Sequence, residues 1–207
     1  IFLVNDGSTD NTLKIINSRS ENSIVKIINH KRNLGLSAAR NSGIRAGNSD
    51  LILFLDGDMS VQHNWVKSHI EIYNRCNVIG VVGDYCLPLN YTPNKLDMYL
   101  YNKNRGARKY PHGANISYRF FLFSNTSIKR SVLDNVGYFD EEIKTYGGED
   151  TELAIRIWKK YSNQLVYSQK SISQHFSNKS LKQFLKDMKQ YGSNGFSYII
   201  KKYPEHK

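Results

Sequence analysis

Apolar residues along the chain fall into short runs separated by amphipathic stretches. Ile1-Phe2-Leu3-Val4 opens a strand over residues 1–5, and Ile24 to Asn29 forms a second. Between them residues 10–19 (DNTLKIINSR) put Leu13 and Ile16 on one helical face, with Ser8 or Thr9 as N-cap. A helix over Leu36–Ala46 ends at Gly47, as helices commonly end at glycine. Leu51–Leu55 is a third strand and Val78–Val82 a fourth. The helix between them, Asn64–Arg75, carries Trp65, Val66, Ile70 and Tyr73 at helical spacing. Strands alternating with amphipathic helices predict an α/β domain with a mostly parallel central sheet. Ligands of such sheets gather at the carboxyl ends of strands.

The alternation stops over residues 84–118, which are rich in Tyr, Asn, Pro and Gly and carry Lys103, Arg105, Arg108 and Lys109. This reads as a loop-rich insertion, the kind of segment that forms lids and binding loops. A strand at Phe120–Ser124 follows, then a short helix over Lys129–Asn135 and a loop through Gly147-Gly148. A strong helix runs from Asp150 to Tyr161, with short strands near Leu165 and Ile172. Ser180–Tyr203 reads as one or two amphipathic helices. The chain opens directly on a strand, without a methionine, which reads as a cut just upstream of it.

Composition narrows the classes. A length of 207 residues, 40% of them hydrophobic, with four prolines, describes one medium domain with a real core. The net charge of +11 admits a nucleic-acid binder, a protein on an anionic membrane, or a binder of phosphate-bearing small molecules. The charge is not laid out as a nucleic-acid tail. Its densest cluster is Lys179, Lys182, Lys186, Lys189, Lys201 and Lys202, for which a solvated helix face is the simpler account. Two cysteines, Cys76 and Cys86, give neither a disulfide framework nor zinc spacing, and point to a reducing cytosol. The triplets at Asn90, Asn115, Asn125 and Asn178 arise by chance in an Asn-rich chain.

Five stretches carry candidate chemistry. VNDGSTDN (4–11) ends a strand in Asn5-Asp6-Gly7-Ser8 ahead of a helix, either as a turn with its cap or as a ligand loop. NLGLSAARNSG (33–43) sets small residues for close packing and puts Arg40 where an anion can meet it. LILFLDGDMS (51–60) runs five apolar residues into Asp56 and Asp58. If strand geometry persists past Leu55, both carboxylates face one way and suit Mg²⁺ or Mn²⁺; the competing account is a surface turn. YGGEDTELAIRIW (146–158) presents Glu149 and Asp150 at a helix N-terminus, where the dipole alone also favours acids. Gln174-His175-Phe176 offers His175 as a third metal ligand.

Taken together these stretches resemble a family 2 glycosyltransferase of the GT-A fold, a Rossmann-like sandwich with C-terminal helices. The resemblance rests on NDGSTD at 5–10, NLGLSAARNSG at 33–43, FLDGDM at 54–59, GYFDE at 137–141, GGEDTELAIR at 147–156 and His175, in the family's order. It implies a GT-A domain over 1–178 and a helical extension over 179–207. It implies a nucleotide pocket formed by Asp6, Ser8, Asn33, Arg40 and Asp56. Asp56, Asp58 and His175 are the implied ligands of Mn²⁺ or Mg²⁺, and Asp56-Gly-Asp58 matches the DxD motif. Asp150 is the implied catalytic base, and Glu149 contacts the acceptor or supports the base. The family's usual first strand, which contacts the base, is missing ahead of Ile1. The implied reaction moves a sugar, with inversion, from a nucleoside diphosphate sugar to a hydroxyl of a glycan or lipid-linked acceptor. UDP is implied by its frequency in the family and not by any residue. The implied setting is cytoplasmic, with the basic C-terminal helices against an anionic membrane and no nucleic-acid partner. The rival class is a non-catalytic relative that holds a nucleotide or glycan without turnover.

Overall fold

The structure, a computed structural model, describes residues 1–19, 24–75, 77–176 and 179–206. Cys76 and Asn178 lie outside the described residues. In chain order the elements are β1 (Phe2–Asn5), α1 (Thr12–Arg19), β2 (Lys26–Asn29), α2 (Leu36–Ala46), β3 (Leu51–Leu55), β4 (Met59–Val61), α3 (Trp65–Ile70) and β5 (Gly80–Cys86). They continue with α4 (Lys95–Leu100), β6 (Asn125–Lys129), α5 (Arg130–Val136), α6 (Glu149–Lys160), β7 (Leu165–His175), α7 (Leu181–Gln190) and α8 (Ser197–Lys202). Two compact units divide the chain: Ile1–Ser49 with Tyr138–Glu149 and Gln190–Lys207, and Asp50–Gly137 with Asp150–Lys189.

In the first unit β1 and β2 pair in parallel, from Phe2 opposite Lys26 to Asn5 opposite Asn29. The buried face of α2 is Ser37, Ala38, Asn41 and Ile44, the helical spacing its sequence predicts. Its end at Gly47 falls where expected. At the start of α1 it is Asp10, not Ser8 or Thr9, that accepts the Thr12 N–H, at 2.9 Å. Residues 190–206 pack within this unit. Ile199 and Tyr203 are buried, and Asp140 accepts from both Tyr198 Oη and Lys202 Nζ at 2.7 Å.

The second unit holds a five-stranded sheet in the order β3-β6-β5-β7-β4. Only β5 and β7 run parallel; β3–β6, β5–β6 and β4–β7 are antiparallel. The mostly parallel central sheet expected from the sequence is therefore corrected. Parallel neighbours need a crossover, usually a helix. β4 follows a tight turn and β6 follows an irregular segment, so neither is set parallel to its neighbours. The core gathers Val81, Ile128, Leu165 and Val166 from the strands, Leu153, Ala154 and Ile157 from α6, and Phe121 and Phe123. Those two phenylalanines meet edge-on at 5.1 Å, and the strand expected over Phe120–Ser124 begins instead at Asn125, where pairing with Leu55 starts. The two strands expected near Leu165 and Ile172 are one, β7, with a register shift opposite Gly83 and Asp84. Residues 84–118 are not wholly loop. α4 opens on an Asn94–Asp97 capping box, which satisfies orphan N–H groups at both ends of the exchange.

Candidate active site

Asp56, Gly57 and Asp58 form the turn between β3 and β4. The strand does not persist past Leu55, because the Met59 N–H closes onto the Asp56 carbonyl at 3.1 Å. The period-two argument for converging carboxylates therefore fails. Among the described residues no three His, Cys, Asp or Glu side chains gather into a metal-holding group. The expected set of Asp56, Asp58 and His175 is present as a pair.

That pair is Asp58 and His175, which are 117 residues apart in sequence. β4 and β7 pair with Met59 opposite His175, and this register carries the imidazole to the turn. His175 Nε2 lies 3.1 Å from Asp58 Oδ2, and Tyr101 Oη lies 2.8 Å from the other ring nitrogen, Nδ1. The His175 hydrogen bond outweighs partial burial and holds the Asp58 carboxyl below its ordinary value. The donors fit a divalent cation. A carboxylate oxygen suits Mg²⁺ or Mn²⁺, and an imidazole nitrogen favours the transition ion of the two. The Asp58 side chain is 53% exposed, which leaves coordination positions for oxygens of a ligand.

Asp150 sits in the first turn of α6. Its Oδ2 accepts the Phe123 N–H at 3.2 Å, and the neighbouring Ser124 carbonyl accepts the Asp56 N–H at 2.9 Å. A two-residue stretch thus ties the candidate base and the first acid of the DxD turn. Glu149 points elsewhere: it forms a buried ion pair with Arg40 at 3.5 Å, and Arg40 lies over the Phe139 ring at 5.1 Å. Arg40, expected at the nucleotide, and Glu149, expected to contact the acceptor or support the base, are therefore joined to each other.

Asp6 organises the end of β1. Its carboxylate accepts the N–H groups of Leu34 and Gly35, each at 2.9 Å, and meets His30 Nδ1 at 2.7 Å. Burial pushes the Asp6 carboxyl up, but His30 and the two N–H groups together hold it below its ordinary value. His30 Nε2 in turn meets Ser42 Oγ at 2.9 Å. Asn33 and Ser8 are exposed on the same loops, and the Ser8 N–H is held by Asn5 Oδ1 at 3.2 Å.

Sequence reasoning missed His30 and Tyr101. Neither lies in a recognisable motif, and each matters through a partner at least 24 residues away. Asn125, read as a chance triplet, is 1% exposed and unavailable to modification; it bonds Trp65, His69 and the carbonyls of Asp84 and Ser171.

An α/β fold with a DxD turn, a late histidine and a helix-borne acid defines a class of sugar-transferring folds, the GT-A class. Residues 1–137 match the model of Glycosyl transferase family 2, and the chain belongs to that family. It is 27% identical over 190 residues to chondroitin synthase of Pasteurella multocida, covering 77% of this chain and 20% of that protein. The mannosyltransferase PcManGT of Pyrobaculum calidifontis, solved with GDP-Man and Mn²⁺, superposes with a TM-score of 0.69 at 15% identity, over 97% of this chain and 54% of that one. S. aureus TarS 1–349 with UDP gives 0.64 at 17%, over 91% and 54%. The chain thus spans a fifth to about half the length of these proteins.

Proposed function

We propose that this chain is the catalytic module of a metal-dependent, inverting glycosyltransferase that uses a UDP-sugar and a glycan or lipid-linked acceptor hydroxyl. The observation that carries the reading is the meeting of Asp58 and His175 at 3.1 Å across the β4–β7 pairing. Solved relatives that carry UDP, or GDP-Man with Mn²⁺, support a nucleotide-sugar donor and a metal. The relative named chondroitin synthase supports a glycan acceptor.

Asp58 and His175 would hold Mn²⁺ or Mg²⁺, which supplies positive charge to the diphosphate leaving group. Asp150 takes the proton of the acceptor hydroxyl as its oxygen attacks the anomeric carbon. The bond from that carbon to the phosphate oxygen breaks, and its electron pair leaves with the diphosphate. A single displacement inverts the centre. Asp6 fixes the loop of residues 34–35 and serves the nucleotide base.

The test is transfer and donor hydrolysis with a UDP-sugar panel and Mn²⁺. Asp150→Asn lowers turnover by about 10²- to 10⁴-fold and leaves donor affinity nearly unchanged. Affinity lost in step with turnover removes Asp150 from the role of base. Asp58→Ala abolishes the part of donor binding that EDTA abolishes in the wild type; binding indifferent to both removes the metal.

We also propose a cytoplasmic location with peripheral contact to an anionic membrane through α7. This helix exposes Leu181, Leu185 and Met188 beside Lys182, Lys186 and Lys189. Sedimentation with vesicles should depend on anionic lipid; binding that ignores lipid charge rejects it.

A further inference from the structure

Tyr101 reaches the Asp58–His175 pair from the segment that sequence alone reads as loop. A neutral imidazole carries one N–H and one lone pair, so its two nitrogens never play the same part. In the structure Nε2 faces the Asp58 carboxylate, an acceptor, and Nδ1 faces the Tyr101 hydroxyl. Nε2 then carries the hydrogen, and Nδ1 accepts from the phenol. A cation on Nε2 demands the reverse: the lone pair at Nε2 and the hydrogen at Nδ1. A hydroxyl serves both states, donating in the first and accepting in the second. A backbone carbonyl would serve only the second.

The surrounding residues hold that oxygen in place. α4 is fixed at its start by the capping box, and at its end the Tyr101 N–H returns to the Asp97 carbonyl at 2.8 Å. Arg108 donates to the Leu100 carbonyl at 2.5 Å and lies over the Tyr85 ring at 4.4 Å. Tyr85 meets the Tyr101 ring edge-on at 5.5 Å. These contacts fix the ring and leave the hydroxyl hydrogen free to turn.

We propose that Tyr101 is a positioning residue that holds His175 through an exchange of tautomer, allowing its Nε2 to pass from Asp58 to a divalent cation. The inference rests on the metal-dependent reading above. The test uses the full chain with ¹⁵N-labelled histidine, read by long-range ¹H–¹⁵N spectra, together with Mn²⁺ affinity from electron paramagnetic resonance. In the wild type His175 is expected as the Nε2–H tautomer without metal and as Nδ1–H with Zn²⁺, a diamagnetic probe. Tyr101→Phe should weaken Mn²⁺ binding by about 10- to 100-fold, while the metal-free ring stays Nε2–H against the Asp58 carboxylate. The buried His69 signal in the same spectrum reports that the variant is folded. Tyr99→Phe, the same atom removed from an exposed ring, should leave Mn²⁺ affinity unchanged. Wild-type Mn²⁺ affinity in Tyr101→Phe would overturn the proposal. If His175→Ala binds Mn²⁺ as the wild type does, the metal reading itself fails and takes this proposal with it.

Discussion

At Gly7 the backbone takes a φ of +71°, and an added Cβ would lie 2.3 Å from the carbonyl carbon of Arg32 and 2.5 Å from the Asn33 nitrogen. Both neighbours are backbone and cannot swing aside. The left-handed conformation alone costs a non-glycine residue roughly 1–2 kcal/mol. Gly7→Ala is therefore expected to destabilise by about 2–4 kcal/mol, measured by urea unfolding. Gly57 follows an Asp in the same way, yet nothing lies within 4 Å of its added Cβ. Gly57→Ala should change stability by no more than about 0.5 kcal/mol. Both Asp-Gly pairs were legible as turns, and the sequence could not rank them, because the difference lies in Arg32 and Asn33 folding back over one of them. The same limit applies to the acids. The meeting of Asp58 with His175 was legible because a late histidine accompanies the DxD pair in the family pattern. The engagement of Glu149 with Arg40 was not, since a buried ion pair between residues 109 positions apart leaves no local pattern.

Helices α2 and α6 stand near where periodicity puts them, whereas α3 ends at Ile70, short of Arg75, with Val66 and Ile70 of its expected face exposed. Strands fared less well, because their extent depends on partners. β4, three residues long, exists only through its pairing with β7. The element contact with the clearest consequence joins α3 to β6. His69 is fully buried, with Nδ1 2.9 Å from Ser127 Oγ and Nε2 3.0 Å from Asn125 Oδ1. Asn125 Nδ2 is committed to carbonyls, so its oxygen faces His69 and the imidazole is a neutral Nε2–H donor. Burial pushes His69 down to about 4, from an ordinary value of 6.5. Between those values the unfolded chain binds a proton that the folded chain refuses, so stability rises with pH across that window. The whole rise is on the order of 3 kcal/mol, present in full above pH 6.5 and lost as pH falls toward 4. His69→Gln should flatten the dependence of the urea midpoint on pH in that interval. A variant that keeps the full slope would sink the assignment.

For the whole molecule, the family is legible in the motifs, while the place of the last residues is not. The lysines of residues 179–207 suggest a solvated appendage, and charge says nothing about where the intervening apolar residues go. In the structure Ile199 is 3% and Tyr203 8% exposed. The backbone of Gly195 passes so close to Gly147 that an added Cβ would overlap the Gly147 carbonyl. Asp140 takes hydrogen bonds from Tyr198 and Lys202, while Asn41 of α2 holds both the N–H and the carbonyl of Phe139, at 3.0 and 2.9 Å. A chain of contacts thus runs from residues 190–207 through 138–149 to α2, all within the first unit. Ile199→Ala should cost about 2–5 kcal/mol, as a buried large-to-small change does. Deletion of residues 191–207 should lower hydrogen-exchange protection throughout α2, because the chain loses the segment that fixes Asp140, next to the Phe139 that Asn41 of α2 holds. Protection in β5 to β7 should persist, since opening proceeds by cooperative units and these strands belong to the other one. If α2 in the shortened chain exchanges as slowly as in the intact one, residues 191–207 are the separable appendage their lysines suggest.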